Sequence, residues 1–189
     1  TKVAAALMAA QHPSGGWNYV HDTAGEASLR KWYDTIGRNA WRLEEFQHYH
    51  GNATFDDGGT AESARFLLRI YAEKKDPAHK PALDRAIAFV LDSQFPNGAW
   101  PQRYPRAEAV SLHGLPDYSS YYTFNDDVAG ENIDFLLQAH GVLGDARLLA
   151  AARKGMDAFV LMQQPAPQAA WGLQHTPDLK PAAARSYEP

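Results

Sequence analysis

The chain of 189 residues is 45% hydrophobic and 21% charged, proportions that allow a single folded domain with one hydrophobic core. It contains no cysteine, which excludes disulfide bonds, thiol nucleophiles and cysteine metal sites. The formal net charge of −4 argues against a nucleic-acid partner, because such partners usually bind a basic surface. No segment approaches the roughly 18 consecutive apolar residues that a membrane span needs, so no membrane partner is expected.

The first predicted element is a helix over Thr1 to Gln11, which has neither a cap nor a signal peptide. A long aromatic stretch, Asn18 to His50, follows and predicts an ordered excursion over the surface. Within that stretch we predict one helix, from Gly37 to Tyr49.

Four further helices are predicted in two pairs, because apolar residues recur at helical spacing. The predicted bounds are Thr60 to Lys74 and Ala78 to Gln94 for the first pair, and Val128 to His140 and Asp145 to Gln163 for the second. The loop inside each pair is short, so the two helices must run antiparallel. Apart from a short strand near Tyr121 to Phe124, the sequence predicts an all-α fold whose αα-hairpins form a ring or arc with long irregular loops.

A related phrase recurs at three helix ends and indicates a structural repeat. The copies are Gln11 to Trp17, Gln94 to Trp100, and Gln163 to Trp171; the third has two extra residues and lacks the glycine. In each copy the glutamine falls on the last helical turn, proline stops the helix, and the tryptophan anchors the returning chain. One copy alone is typical of a helix end with a core tryptophan, but the recurrence predicts stacked equivalent units.

Acidic residues gather in the loops that lead into the first helix of each hairpin. Residues 54–60 read Thr-Phe-Asp-Asp-Gly-Gly-Thr, and residues 123–127 read Thr-Phe-Asn-Asp-Asp. The antiparallel hairpins bring these loops, and the turn that carries Arg185, to one face of the ring. Helix capping explains a single aspartate, whereas two in each loop favour a bridging cation. No paired-histidine motif accompanies them, so the oxygen ligands favour Ca²⁺ over zinc.

Three strings of the chain also carry a family resemblance. They are Gln94 to Pro105, Phe124 to Asp127, and Trp171 to His175 continuing to Ala184 to Pro189. Together with the loop 54–60, and in this order, they resemble the pectate lyases of polysaccharide lyase family 10. The resemblance implies an incomplete (α/α) toroid that binds polygalacturonate through Ca²⁺ and cleaves it by β-elimination to 4,5-unsaturated oligogalacturonides.

By position in these motifs, the resemblance implies roles for individual residues. Asp56, Asp126 and Asp127 would bind the metal, Arg185 and Asp126 would be catalytic, and Trp100, Gln102, Asn125 and His175 would contact the substrate, although His175 equally fits a packing role. Calcium would stabilise the charge that develops as the C5 proton leaves. Guanidinium normally stays protonated. Arg185 therefore either has a lowered pKa or stabilises charge while another group takes the proton.

The chain also departs from the family pattern. The loop Arg106 to Tyr118 is longer than the usual spacing, Tyr121 stands where histidine is expected, and family members continue beyond the Arg185 turn. We therefore expect residues 1–189 to form one catalytic-domain fragment, truncated at both ends. The polymeric substrate and the resemblance further predict a secreted or periplasmic monomer.

Three other functions remain open from the residues alone. Triterpene cyclases also carry repeated Gln…Gly-x-Trp phrases and an Asp-rich motif, but their pocket is apolar, whereas these loops are polar. A glycoside hydrolase on an α/α toroid would use paired carboxylates as acid and base. An inactive remnant would bind polyuronate and release no product.

Overall fold

The protein is described from a computed structural model, which covers residues 1–39, 52–106 and 118–182. Within these ranges the helices are α1 (Lys2–Ala10), α2 (Glu26–Asn39), α3 (Gly59–Lys74), α4 (Lys80–Ser93), α5 (Val128–Leu143) and α6 (Ala146–Leu161). The strands are β1 (Ala53–Thr54), β2 (Arg103–Tyr104), β3 (Tyr122–Thr123) and β4 (Gln174–His175). Helices therefore dominate the described residues, as the periodicity of the apolar residues predicted.

The four paired helices lie close to their predicted bounds, and a capping residue explains where α6 begins. The Asp145 side chain accepts a hydrogen bond from the Arg147 backbone N–H at 2.9 Å and caps α6. At the first helix the prediction of an uncapped start was wrong, because Thr1 Oγ1 accepts the Ala4 N–H at 3.2 Å.

Helix α2 differs from the prediction for the aromatic stretch. It begins at Glu26, eleven residues before the predicted start at Gly37. Within the described residues it runs to Asn39. The rest of the predicted helix, 40–49, lies outside the described residues. An ion pair between Arg30 and Glu26 at 2.6 Å, one helical turn apart, accompanies its first turn.

The hydrophobic core lies between the two hairpins, α3–α4 and α5–α6, whose helices pack together, with α3 also against α5. Buried residues from these helices include Leu67, Leu83, Leu136 and Leu148, all fully buried. The predicted apolar stripes of α3, α4 and α5 thus face this core. On α6 the predicted stripe includes Met156, which is instead 42% exposed, because no described element covers that side of the helix.

Two short antiparallel ladders tie the loops together at one end of the hairpins. Strand β1 pairs with β2, so that Thr54 lies opposite Arg103. Strand β3 pairs with β4, so that Thr123 lies opposite Gln174. The strand predicted near Tyr121 to Phe124 corresponds to β3.

In the first two repeated phrases, the glutamine links its own helix to the hairpin that follows. In the first two copies its side-chain amide donates two hydrogen bonds, one within its own turn and one to the second helix of the following hairpin. The acceptors are Gly15 O and Ala82 O for Gln11, at 2.7 and 2.9 Å, and Gly98 O and Ala151 O for Gln94, both at 2.9 Å. The repeated phrase is therefore a repeated joint between hairpins, not only a helix end.

The tryptophan of each phrase folds back onto its own helix. The indole N–H of Trp17 donates to Leu7 O at 2.8 Å, and that of Trp100 donates to Val90 O at 2.9 Å, ten residues earlier in both cases. Both side chains are buried. Trp100 also fills the space beside Gly155 of α6, where even a methyl group would lie 2.7 Å from the indole ring.

The third copy keeps the internal bonds of the turn but exposes its tryptophan. Trp171 donates to Phe159 O at 2.7 Å, twelve residues earlier, which matches the two extra residues of this copy. Gln163 donates to Ala169 O at 3.5 Å, the counterpart of the bond within each earlier turn. Trp171 is 44% exposed, because no described helix follows to cover it as α6 covers Trp100.

None of the helices in the described ranges combines the length and the apolar character that crossing a bilayer would require.

Gly98→Ala should destabilise the fold strongly, because two effects add at this joint. Gly98 has a φ of +101°, and an added Cβ would lie 1.9 Å from the backbone oxygen of Lys154. We expect a loss of about 2–4 kcal/mol in the free energy of unfolding, measured by urea denaturation.

The matched control is Gly25→Ala. Gly25 has a similar φ of +100°, but nothing lies within 4 Å of its added Cβ, so only the backbone strain, about 1 kcal/mol, should remain. Equal losses in the two variants would contradict the close approach of the turn to α6.

Candidate metal and active site

The two acidic turns are equivalent in backbone structure. Each follows a short strand, forms one turn of 3₁₀ helix (Asp56–Gly58 and Asn125–Asp127) and continues directly into the first helix of a hairpin. Thr54 N–H donates to Trp17 O at 2.9 Å, and Thr123 N–H donates to Trp100 O at 2.8 Å. The repeat of the sequence therefore extends from the tryptophan phrases into the acidic loops.

The backbone angles show which residues of the two turns are equivalent. Asp57 has a φ of +50° and Asp126 a φ of +51°, and the next residues, Gly58 and Asp127, also have positive φ at +68° and +54°. Aspartate tolerates this left-handed region better than most residues with a side chain. The two turns therefore align without a gap. Asp57 corresponds to Asp126, and Asp56 corresponds to Asn125.

Three carboxylates come together where the two turns pack against each other. One carboxylate oxygen from each of Asp56, Asp57 and Asp126 lies within 4.8 Å of the other two. Asp56 is 8% exposed, whereas Asp57 and Asp126 are open to solvent. Three negative charges at this distance repel one another unless a proton or a cation lies between them.

Asp56 is held in a specific environment. Its Oδ2 accepts a hydrogen bond from the Tyr19 hydroxyl, and its backbone N–H donates to Thr54 Oγ1 at 3.0 Å. Its Oδ1 is buried and accepts no hydrogen bond. Burial, with smaller contributions from the carboxyl groups of Asp126 and Asp57, raises the pKa of Asp56 to about 6, although the Tyr19 hydrogen bond opposes the shift.

The donor set fits a hard divalent cation. Carboxylate oxygens are the ligands that Ca²⁺ prefers, and the buried Oδ1 of Asp56 lacks the partner that a buried polar atom normally has. A cation shared by the three carboxylates would supply that partner and remove their mutual repulsion. Asp57 was not selected from the sequence; the ungapped alignment of the two loops would have paired it with Asp126.

Asp127, predicted at the metal, and Asn125, predicted to contact the substrate, are placed differently. Asp127 lies outside the group of three. Its carboxylate is close to Gly130 in the first turn of α5, where a Cβ added to the glycine would lie 2.1 Å from Asp127 Oδ1. Asn125 lies beside the group and donates from its side-chain amide to Asp126 Oδ2. Asn125 therefore orients the Asp126 carboxylate.

The remaining predicted substrate contacts are buried side chains. Trp100 is fully enclosed in the core and offers no exposed surface. Gln102 is also buried, and its backbone oxygen accepts the Phe55 N–H at 2.8 Å, next to the first turn. His175 on β4 is fully buried, its ring lies edge-on to Phe124 with centroids 5.4 Å apart, and burial lowers its pKa. These buried positions fit side chains that pack against the residues of the acidic turns.

Arg185, the predicted catalytic arginine, lies outside the described residues, whose last stretch ends at Ala182. Backbone pairing brings that stretch back toward the site. Ala182 N–H donates to Gln174 O at 2.8 Å, and Pro181 forms a bridge with His175.

Comparison with known proteins identifies similar sequences and folds. A family model described as pectic acid lyase matches residues 11–189. A family 10 polysaccharide lyase from Cellvibrio cellulosa has a similar structure, with 25% identity and a TM-score of 0.70. A mutant family 10 polysaccharide lyase from the same organism, in complex with trigalacturonic acid, has 24% identity and a TM-score of 0.71. No curated protein sequence matches the chain.

These comparisons confirm the predicted fold class, an all-α toroid, and the resemblance carried by the motifs. The alignments cover 97% of this chain. The chain spans only 54% of the length of either solved relative, about half.

The pKa of Asp56 predicts how cation binding depends on pH. The pKa of Asp56 is about 6 in the fold, above the ordinary value of 3.8. The protonated carboxyl therefore stabilises the cation-free protein at low pH, and this stabilisation is lost as the pH rises through 6. A bound cation replaces the lost proton. The rise in Tm on adding CaCl₂ should therefore be larger above about pH 7 than below about pH 5.

Differential scanning fluorimetry with CaCl₂ and with EDTA at each pH measures this effect. Asp56→Asn, which cannot ionise, should show a smaller rise in Tm and little change with pH. A rise that is equal at both pH values in the unmodified chain would count against a cation on Asp56.

Proposed function

Because the chain belongs to the pectic acid lyase family, we propose that it cleaves polygalacturonate by Ca²⁺-assisted β-elimination and releases 4,5-unsaturated oligogalacturonides. The observation that carries this proposal is the group of three carboxylates, Asp56, Asp57 and Asp126, at the packed acidic turns. The trigalacturonic acid bound by the mutant relative is a short piece of the same polymer, which supports this substrate class.

The substrate and the site have the same sign of charge, so a cation is needed between them. Polygalacturonate carries one carboxylate on each sugar, and the chain itself has a net charge of −4. Asp56, through its Oδ1, together with Asp57 and Asp126, would hold Ca²⁺. When bound, the ion neutralises the uronate carboxylate and stabilises the charge that develops on it as the C5 proton leaves.

Each residue of the group has a distinct part in this proposal. Asp56 is buried and fixed by Tyr19, so it supplies a rigid anchor. Asp57 and Asp126 are exposed, so their carboxylates are accessible to a polymer. Asn125 donates to one oxygen of Asp126 and holds that carboxylate in one orientation. Asp126 thereby remains the candidate that links the metal to the reacting sugar.

Elimination also needs a group that removes the C5 proton and one that assists the departing C4 oxygen. We propose Arg185 for a role at the reacting carbon on the strength of its motif. It acts either as a base with a lowered pKa or as a cation that stabilises negative charge while another group takes the proton. His175 is fully buried with its ring edge-on to Phe124, which supports a packing role for it.

The remaining functional predictions are proposals of the same kind. A polymeric plant-wall substrate supports a secreted or periplasmic location, and an elimination site built within one chain requires no second subunit, consistent with a monomer. The family match favours a lyase over a triterpene cyclase. A glycoside hydrolase and an inactive polyuronate-binding protein differ from the lyase in their products, so an assay separates them.

The direct test is the ultraviolet absorbance of the unsaturated product when the chain is incubated with polygalacturonate. We expect a rise that requires CaCl₂ and stops on adding EDTA. New reducing ends without ultraviolet absorbance would mean hydrolysis. Calcium-dependent binding of the polymer without any product would mean an inactive polyuronate-binding protein.

Asp126→Asn tests the assignment of the carboxylates. Asparagine keeps the size of the side chain and tolerates the left-handed φ of this position, so the turn should survive. We expect the rate to fall by more than about 100-fold because a cation ligand loses its charge. Asp127→Asn makes the same change at the next left-handed position and should cost far less. An equal loss in both variants would contradict the separation of Asp127 from the group.

A further inference from the structure

One hydrogen-bond donor to the Asp56 carboxylate comes from a residue far away in the sequence. The Tyr19 hydroxyl donates to Asp56 Oδ2 across 37 positions of the chain. Tyr19 belongs to the loop after the first repeated phrase, within the stretch that the sequence predicts to be a surface excursion. We propose that Tyr19 is a positioning residue that fixes Asp56 for cation binding, and that Arg103 holds Tyr19 in place; this inference rests on the function proposed above.

The hydrogen bond divides the two oxygens of the Asp56 carboxylate into different roles. Oδ2 is occupied by the Tyr19 hydroxyl, and Oδ1 is buried and accepts no hydrogen bond. A carboxylate held at one oxygen cannot rotate freely, so the other oxygen keeps one direction. The phenol is a neutral donor, so it satisfies Oδ2 without cancelling the negative charge that a cation needs.

Arg103 provides a rigid support for the Tyr19 ring. Its guanidinium carbon lies 5.7 Å from the ring centroid, within the distance of a cation–π contact. The guanidinium is fully buried and donates from Nε to Asn52 Oδ1 at 2.9 Å and from Nη2 to Asn18 Oδ1. Both of these bonds go to amide oxygens, and they hold the guanidinium in place.

Strand pairing connects this support to the acidic turn. Arg103 on β2 lies opposite Thr54 on β1, and Thr54 is two residues before Asp56. Thr54 Oγ1 also accepts the backbone N–H of Asp56 at 3.0 Å. One short ladder therefore connects Arg103 to the turn that carries Asp56, and the Tyr19 side chain contacts both residues.

Comparison of the two repeats indicates that the tyrosine is not needed to build the turn. Tyr19 is two residues after Trp17, and the equivalent position after Trp100 is Gln102, whose side-chain oxygen has no hydrogen-bond partner. The second turn, which has Asn125 in place of Asp56, nevertheless adopts the same backbone. The tyrosine–aspartate pair is thus a feature of the first turn alone, where the buried cation ligand lies.

Tyr19→Phe tests this role because it removes the hydroxyl and keeps the ring against Arg103. Isothermal titration of CaCl₂ into the chain should show at least about 10-fold weaker binding than in the unmodified protein. The Tm of the variant in EDTA should stay within about 4 °C of the unmodified protein, since only one hydrogen bond is lost. Tyr71→Phe on α3 makes the same change away from the site and should leave both quantities unchanged.

The outcomes separate this inference from the function on which it rests. Unchanged calcium affinity in Tyr19→Phe, with normal binding by the unmodified chain, would overturn the positioning role and leave the proposed function standing. A large fall of Tm in EDTA would mean that the hydroxyl serves folding, which also overturns the inference. Failure of the unmodified chain to bind calcium would overturn the proposed calcium site itself.

Discussion

The repulsion between three carboxylates is the constraint on which the site depends. The oxygens of Asp56, Asp57 and Asp126 lie within 4.8 Å of one another, and one of these side chains is buried. A protein that serves only its own stability would not keep such charges together, because isolated buried charge is costly. The raised pKa of Asp56 reflects this cost. In the function proposed above, a divalent cation on the three carboxylates would relieve this repulsion and attract an acidic sugar.

The rest of the fold serves to hold the two acidic turns against each other. The glutamine joints fix each hairpin to the next, and glycine permits the close approach at Gly98. The short ladders β1–β2 and β3–β4 pair the loops that precede α3 and α5 with other strands and so hold these loops in place. The repeat therefore determines the geometry of the site, although the two copies differ in chemistry at Asp56 and Asn125.

The sequence predicted those parts of the structure that depend on local pattern. Apolar spacing gave the four paired helices, and the order of the hairpins brought Asp56 and Asp126 to one end. The choice of Asp127 over Asp57 followed from a gapped reading of the two loops, because left-handed backbone angles are not visible in the residue types. Tyr19 was missed for a different reason: its contact with Asp56 spans 37 residues and leaves no periodic signal.

The most direct test of the account is an experimental structure of the chain with CaCl₂ and trigalacturonic acid. We expect one cation at about 2.3–2.6 Å from oxygens of Asp56, Asp57 and Asp126, with a uronate carboxylate of the ligand completing its coordination. A cation bound elsewhere, or a sugar bound while these three carboxylates hold no cation, would contradict it.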